Sequence, residues 1–278
     1  MNNKLAIVTG SSSGFGLLSA VELACAGFTV IASMRDPKRS EALIELAKSK
    51  RADTRIHVHP LDVTSKESIA EFTSFLAELS SIDVLVNNAG FARGGFSEEL
   101  TLEDYRAQFE TNFFGVIAVT QAVLPFMRAR KQGRIINISS ISGRFGFPGL
   151  SAYTSSKHAL EGYSESLRME VKPFGIDISL VEPGSYQTNI WSSMDQLEIK
   201  ETSPYLSYMK ALIKSVETEK PNHGDPVEVA KLVTSIASQR KTPKLRYPIG
   251  KGVKTNFLLK TLLPWEHLES IILKNLLR

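Results

Sequence analysis

The feature that most constrains this chain is alternation. Short apolar runs at 5–8, 28–34, 55–61, 82–86, 134–139, 177–181 and 245–249 are separated by stretches of helical character. Runs this short suit strands buried on both faces, and the stretches between them are long enough for helices. The repeat implies an α/β fold built on a single doubly wound parallel sheet (Rossmann-like), with helices on both faces. Its crossovers are right-handed, and ligands bind beyond the C-terminal ends of the strands. A chain of 278 residues with 42% hydrophobic content can bury such a core as one domain.

Local punctuation agrees with this outline. Gly27 is placed to cap the first helix at its C-terminus, and Asp36-Pro37 and Asp225-Pro226 each supply an N-cap followed by a first helical residue. The stretch 102–130 reads as one helix, bent or interrupted around Gly115 and Pro125. Periodicity is poor at 185–224, where polar and aromatic residues mix; this segment is a candidate substrate lid over the sheet edge. The division expected is a dinucleotide-binding and catalytic domain over 1–252, including that lid, followed by a basic amphipathic extension over 253–278.

Within this outline the stretch VTGSSSGFG, beginning at Val8, falls at the turn from the first strand to the first helix. The first N–H groups of a helix have no internal partner, and with the helix dipole they favour an anion. The spacing Gly10, Gly14, Gly16 is a longer variant of the dinucleotide fingerprint, and alone it is also compatible with an ordinary turn.

Bulk charge narrows the partners. The net charge is +4, while 244–278 alone holds seven Lys/Arg against two Asp/Glu, so all the basic excess sits in the tail. That argues against a nucleic-acid stripe across the fold and leaves a local anionic partner or a peripheral membrane contact open for the tail. The only cysteine, Cys25, offers neither disulfide nor metal cluster, and a cytoplasmic location is expected. His57, His59 and His158 have no third ligand at metal spacing, so no metal site is expected. No apolar run is expected to approach the roughly 18 residues of a membrane span.

The chemistry gathers at SAYTSSKHALEGYSESL, where Tyr153 and Lys157 stand at i, i+4 on one helix face. Ser140 ends the preceding strand. A hydroxyl, a phenol and an ammonium can therefore meet at the edge of the sheet where ligands bind. A tyrosine loses its proton near pH 10, and a lysine at about 4 Å would lower that value by about three units at an effective dielectric near 20.

With these residues in view the chain resembles the short-chain dehydrogenase/reductase family up to about Gly252, and within it the hydroxysteroid and retinol dehydrogenase type. The matching motifs are Thr9-Gly10-x-x-x-Gly14-x-Gly16, Leu61-Asp62-Val63, Asn87-Asn88-Ala89-Gly90, Asn112, Ser140, Tyr153-x-x-x-Lys157 and Pro183-Gly184. The resemblance implies that Tyr153 is the general acid/base, that Lys157 lowers its pKa and binds the nicotinamide ribose, that Ser140 orients the reacting oxygen and that Asn112 supports a proton relay. It also implies that the cofactor is held by Gly10, Ser12, Ser13, Gly14, Phe15, Gly16, Asp62, Val63, Asn88, Ala89, Gly90, Tyr153, Lys157, Pro183, Gly184 and Thr188. Tyr186 departs from the Val or Ile that the family usually carries two residues after the glycine of Pro-Gly. A homo-oligomer is expected by the same resemblance.

NADP is the expected cofactor, because Met34 stands where an NAD-selective relative carries a carboxylate and Arg35 follows it, able to bond a 2′-phosphate. The expected substrate is a bulky, apolar carbonyl or secondary alcohol. It would lie under Tyr186, Ile190, Trp191, Met194, Tyr205, Tyr208 and Met209, with help from a tail rich in Leu, Ile and Trp265. Two alternatives stay open: a non-enzymatic NADPH-responsive binding protein, and an epimerase or dehydratase on the same fold.

Overall fold

The computed structural model describes residues 4–188, 190 and 201–276. Seven strands, all parallel, form one sheet: β1 (Leu5–Thr9), β2 (Thr29–Met34), β3 (Ile56–Pro60), β4 (Val84–Asn87), β5 (Gly133–Ile138), β6 (Ile176–Pro183) and β7 (Arg246–Ile249). Their spatial order is β3-β2-β1-β4-β5-β6-β7. The order reverses between β1 and β4, whose registers pair Ala6 with Val84 and Val8 with Val86. That switch point opens the crevice in which such sheets bind ligands.

Both faces of the sheet are covered, which explains the nearly continuous apolar strands. Ala6, Val8, Val30, Ala32, Val84, Val86 and Ile136 point to one side, where α1 (Gly14–Cys25), α2 (Glu41–Ser49) and α8 (Pro226–Ser238) pack. Leu5, Ile7, Ile31, Leu85, Ile135 and Ile178 point to the other, against Phe72 and Leu76 of α3 (Lys66–Leu76), Val119 and Val123 of α5 (Gly115–Ala129) and Leu167 of α6 (Ser151–Val171). Adjacent strand residues take opposite sides, as the two-residue period of a strand requires.

Two sequence expectations need correction. The stretch from 102 is interrupted next to Gly115 but not at Pro125: α4 (Leu102–Phe109) runs into a π-helical turn, Glu110–Phe114, and then into α5, which continues through Pro125. Gly115 is small because a Cβ there would lie 2.7 Å from Val63 Cγ2. Pro125 sits inside α5, held by the burial of Val119, Val123 and Met127, so tertiary packing overrides its helix-breaking tendency. This same stretch, Leu102–Ala129, is long and apolar enough to cross a bilayer by length and composition only. Its inner face is instead spent on the sheet.

The second correction concerns 185–224, which is not irregular throughout. Leu206–Glu219 forms a regular helix, α7. Tyr205 stacks on Phe96 with ring centroids 4.4 Å apart, and its hydroxyl donates to Glu98 Oε2 at 2.7 Å. Trp191 and Met194 lie outside the described residues. The extension forms two helices, α9 (Val253–Leu262) and α10 (Trp265–Leu276). Trp265 reaches Phe145, centroid to centroid 6.1 Å, in the turn that follows Ser140.

Candidate active site

A cleft of about 630 Å³ lies along the C-terminal ends of the strands. Its floor is the glycine turn after β1. Gly10 has φ +69°, and a Cβ on it would lie 2.8 Å from Ala89 Cα; a Cβ on Gly16 would collide with Asn88 Nδ2 and the Gly10 carbonyl. Ser13, the N-cap of α1, makes no side-chain capping bond. The helix N-terminus is left for an anion, in a cradle that side chains would fill.

The second β-strand-to-helix layer of the cleft is tied to the first by hydrogen bonds. Asn88 Nδ2 donates to the carbonyls of Thr9 (2.9 Å) and Gly10 (3.1 Å), and the N–H groups of Asn88 and Ala89 both donate to Thr9 Oγ1 at 3.0 Å. Asn87 is fully buried and donates to Thr120 Oγ1 and Asn137 Oδ1. These asparagines fix backbone. At the far end of the cleft lie Met34, Arg35, Asp62 and Val63. Two bonds from Thr64 and the nearby Arg35 charge hold the Asp62 carboxyl below its usual range, overcoming the opposing effect of partial burial.

At the other end, Ser140, Tyr153, Lys157, Pro183, Gly184 and Thr188 line the same cleft, together with Ser12, Gly14, Phe15 and Gly90. Ser140 Oγ accepts from the N–H of Ser142 at 3.1 Å and is hydrogen-bonded to the Tyr153 phenol. Lys157 Nζ donates to the Ile138 carbonyl at 2.8 Å and stands 5.8 Å from the centre of the Tyr153 ring. Burial pushes the phenol up to about 12, with the Ser140 bond pulling the other way. Burial likewise pushes Lys157 down to about 8, opposed by Glu161. Desolvation of the buried phenol thus sets the direction of its shift, opposite to the lowering expected from the lysine charge alone.

Asn112 lies behind the cleft rather than on its wall. It sits in the π-helical turn, accepts from Phe91 N–H at 3.1 Å and donates to the Phe91 carbonyl at 2.9 Å and to Ser156 Oγ at 3.3 Å. Its side chain clamps the loop after β4 to α6. Gly16 is buried in the turn. Tyr186 lines the cleft, but its ring lies in the core between Phe15 and Gly224, and its hydroxyl donates to Glu228 Oε2 at 3.2 Å. Sequence reasoning missed Arg39, Thr64, Phe91, Thr111 and Ile138, all on the cleft wall. For Arg39 a signal was present: a basic residue one turn past Arg35, in the short 3₁₀ turn (Pro37–Ser40) that Asp36 caps.

A glycine cradle, a cleft end with two arginines and a buried Ser–Tyr–Lys cluster agree with the family model for short chain dehydrogenases, which matches residues 4–198. The chain belongs to the short-chain dehydrogenase/reductase family. It is 51% identical over 279 residues to the uncharacterized oxidoreductase YusZ of Bacillus subtilis, covering 99% of both chains. It is 35% identical to 3-ketodihydrosphingosine reductase of Bacteroides thetaiotaomicron, covering 92% of this chain and 91% of that one. It is 36% identical to retinol dehydrogenase 8 of Homo sapiens, with 86% and 79% covered. Among solved structures, a short-chain dehydrogenase from Streptomyces avermitilis superposes with a TM-score of 0.78 at 36% identity, covering 97% and 94%. As a member of this family the chain is a dehydrogenase/reductase acting on CH–OH or C=O groups.

Proposed function

We propose that the chain is an NADP(H)-dependent oxidoreductase for a bulky, apolar carbonyl or secondary alcohol. The observation that carries this reading is one cleft with Arg35 and Arg39 at one end and Ser140, Tyr153 and Lys157 at the other. Arg35 and Arg39 would hold a 2′-phosphate, the N-terminus of α1 the pyrophosphate, and Lys157 the nicotinamide ribose. NADPH, when bound, supplies the hydride.

The residues of the chain manage the accompanying proton. Ser140 accepts from the N–H of Ser142 and is hydrogen-bonded to the Tyr153 phenol, so a substrate oxygen would meet the two hydroxyls together and take over the Ser140 hydrogen as it binds. Tyr153 carries its proton at neutral pH, since burial holds it at about 12, and delivers it to the oxygen of the reduced carbonyl. In oxidation the same phenol oxygen takes the proton back, and Lys157 as an ammonium favours that ionised form. Asn112 keeps Phe91 and Ser156 in register with α6.

Support for an apolar substrate comes from two aromatic clusters outside the cleft wall, one of Phe96, Tyr205 and Tyr208 and one in which Phe145 meets Phe147 and Trp265; on this reading they form its cover. Two of the relatives are named for 3-ketodihydrosphingosine and retinol, molecules with long apolar bodies. On this reading 185–224 serves as the lid over the substrate. Assembly as a homo-oligomer belongs to the same reading. The retained Ser140, Tyr153 and Lys157 favour it over a non-enzymatic sensor.

The test is NADPH consumption with 1-decalone, a bicyclic apolar ketone, beside acetone. Wild type is expected to prefer the decalone in kcat/KM. Tyr153→Phe is expected to lose turnover by at least about a thousandfold while keeping NADPH affinity within about threefold, because only the transferable proton is removed. Near-normal turnover in that variant would sink the mechanism.

A further inference from the structure

One turn beyond Lys157, on the same face of α6, stands a carboxylate that the mechanism above does not use. Glu161 is 5% exposed. Its Oε1 accepts from Ser139 Oγ at 2.5 Å, and its Oε2 accepts from Arg246 Nε at 2.9 Å. Both partners are donors, so the surroundings are built for the ionised form. The two tethers run to different strands: Ser139 is the residue before Ser140 at the end of β5, and Arg246 opens β7. The turn after Ser140 is moulded around this group, since a Cβ on Gly143 would lie 2.6 Å from Ser139 Oγ and 3.0 Å from Glu161 Cγ.

We infer that Glu161 is a positioning residue for the acid–base pair: its charge keeps Lys157 an ammonium, and its bond to Ser139 fixes the strand end that carries Ser140. This rests on the function proposed above. Glu161 touches no reacting atom and acts through its neighbours.

The groups facing Lys157 can be enumerated by element. From α6 come Tyr153 and Glu161; from β5 comes the Ile138 carbonyl. Beyond Glu161 lie Arg246 of β7, Glu182 of β6 and Arg144 of the turn. Glu182 Oε1 is 3.5 Å from Arg246 Nε and 3.6 Å from Arg144 Nη1. Arg246 is shared with the exposed Glu165, to which its Nη2 donates at 2.6 Å. Without the Glu161 charge, Lys157 would lose the carboxylate that opposes its desolvation, while Arg246 and Arg144 would keep Glu182 as a partner. Burial already presses Lys157 down to about 8, and Glu161 is the group that opposes it.

The experiment is NADPH affinity by cofactor fluorescence, followed from about pH 6 to about pH 10 so as to bracket the Lys157 titration. In wild type the affinity is expected to fall as Lys157 loses its proton. Glu161→Gln, which keeps the shape, is expected to move the midpoint of that fall down by about two pH units, the size set by a carboxylate about 6 Å away at an effective dielectric near 20. Glu165→Gln, which removes the outer partner of the same arginine, is expected to leave the midpoint in place. A midpoint that stays put in Glu161→Gln, or moves equally in both variants, overturns the inference and leaves the oxidoreductase reading intact. A wild type that does not bind NADPH overturns both.

Should Glu161→Gln fail to fold, Ser139→Ala tests the tether instead, because it removes one hydroxyl and leaves the charge. Its midpoint is expected to stay at the wild-type value while kcat for 1-decalone falls about tenfold at unchanged KM, the cost of one charge-assisted bond. Unchanged kcat overturns the tether.

Discussion

The floor of the cleft and the helices proposed to cover it are built on opposite terms. In α1, behind the glycine turn, Gly16, Leu17, Ser19, Ala20, Val21, Leu23 and Ala24 are all buried. In α7 only Met209 is buried, and in α9 only Val253 and Phe257. Leu258, Leu262 and Trp265 stay 58%, 68% and 44% exposed. The floor is fixed by close approach of backbone to backbone, which tolerates no substitution. The cover is held by aromatic contacts at its rim, which can shift without opening the core. A cofactor of constant shape suits the first and a substrate class of variable shape the second.

The hardest blow to this contrast would come at the floor. Gly16→Ala drives a methyl into Asn88 Nδ2 and the Gly10 carbonyl, both already committed to each other. NADPH affinity is expected to drop by about a hundredfold or more, with a lower Tm, because overpacking here displaces the turn itself. Fluorescence titration and calorimetry read both. If the variant bound NADPH normally, the floor would be as adaptable as the cover.

At the adenosine end the expected effect is smaller and selective. Arg35→Ala and Arg39→Ala should each weaken NADPH by about tenfold to a hundredfold, the worth of charge-assisted bonds to a phosphate, and leave NADH affinity unchanged. Paired titrations with the two cofactors measure the ratio. Equal losses for both would assign these arginines to general electrostatics.

The cover can be tested by removing it. Truncation after Gly252 deletes α9 and α10, and with them Trp265 against Phe145 and Phe257 beneath the Arg144 guanidinium at 4.2 Å. The KM for 1-decalone is expected to rise about tenfold through lost apolar contact, while the KM for acetone and the affinity for NADPH move less than about threefold. A parallel loss in NADPH binding would merge the two regions into one unit.

This division also explains how much was legible in the sequence. The central strands were readable because both of their faces are buried, unlike the edge strands β3 and β7, and Gly10, Gly14 and Gly16 were readable because a tight turn admits so few residue types. Tyr153, Lys157 and Ser140 stood out through spacing that helix geometry imposes. The cover gave no such constraint. The α7 helix was hidden within 185–224 because it buries a single residue and its polar face merges with the turns around it. Glu161 and Arg246 were invisible for another reason: they are 85 positions apart, and only the β5-β6-β7 order brings them together. The Tyr153 shift was misjudged because a spacing argument counts charges and omits the burial of the groups that carry them.

The smallest expected effect lies on the seam between the regions, at Glu182. This carboxyl belongs to the strand that leads into Pro183-Gly184; it is fully buried, and its Oε1 stands 3.5 Å from Arg246 Nε and 3.6 Å from Arg144 Nη1. Burial and the repulsion of Glu161 push it up to about 7, against the pull of Arg144 and Arg246. Its folded value is therefore above its unfolded one. Such a group adds stability fully below the unfolded value near 4.5, and that contribution is lost as pH rises through about 7. Glu182→Gln stays neutral throughout, so its Tm relative to wild type should rise by a few degrees between about pH 5 and about pH 8. The two arginines oppose that gain, since a neutral amide gives up their attraction. Because the carboxyl stays shifted upward despite both of them, desolvation is the larger effect and sets the sign. Differential scanning fluorimetry across that range decides it: a difference in Tm that is flat or falls with pH would mean that the arginines win, and that the seam is held by ion pairs instead of strained by a buried charge.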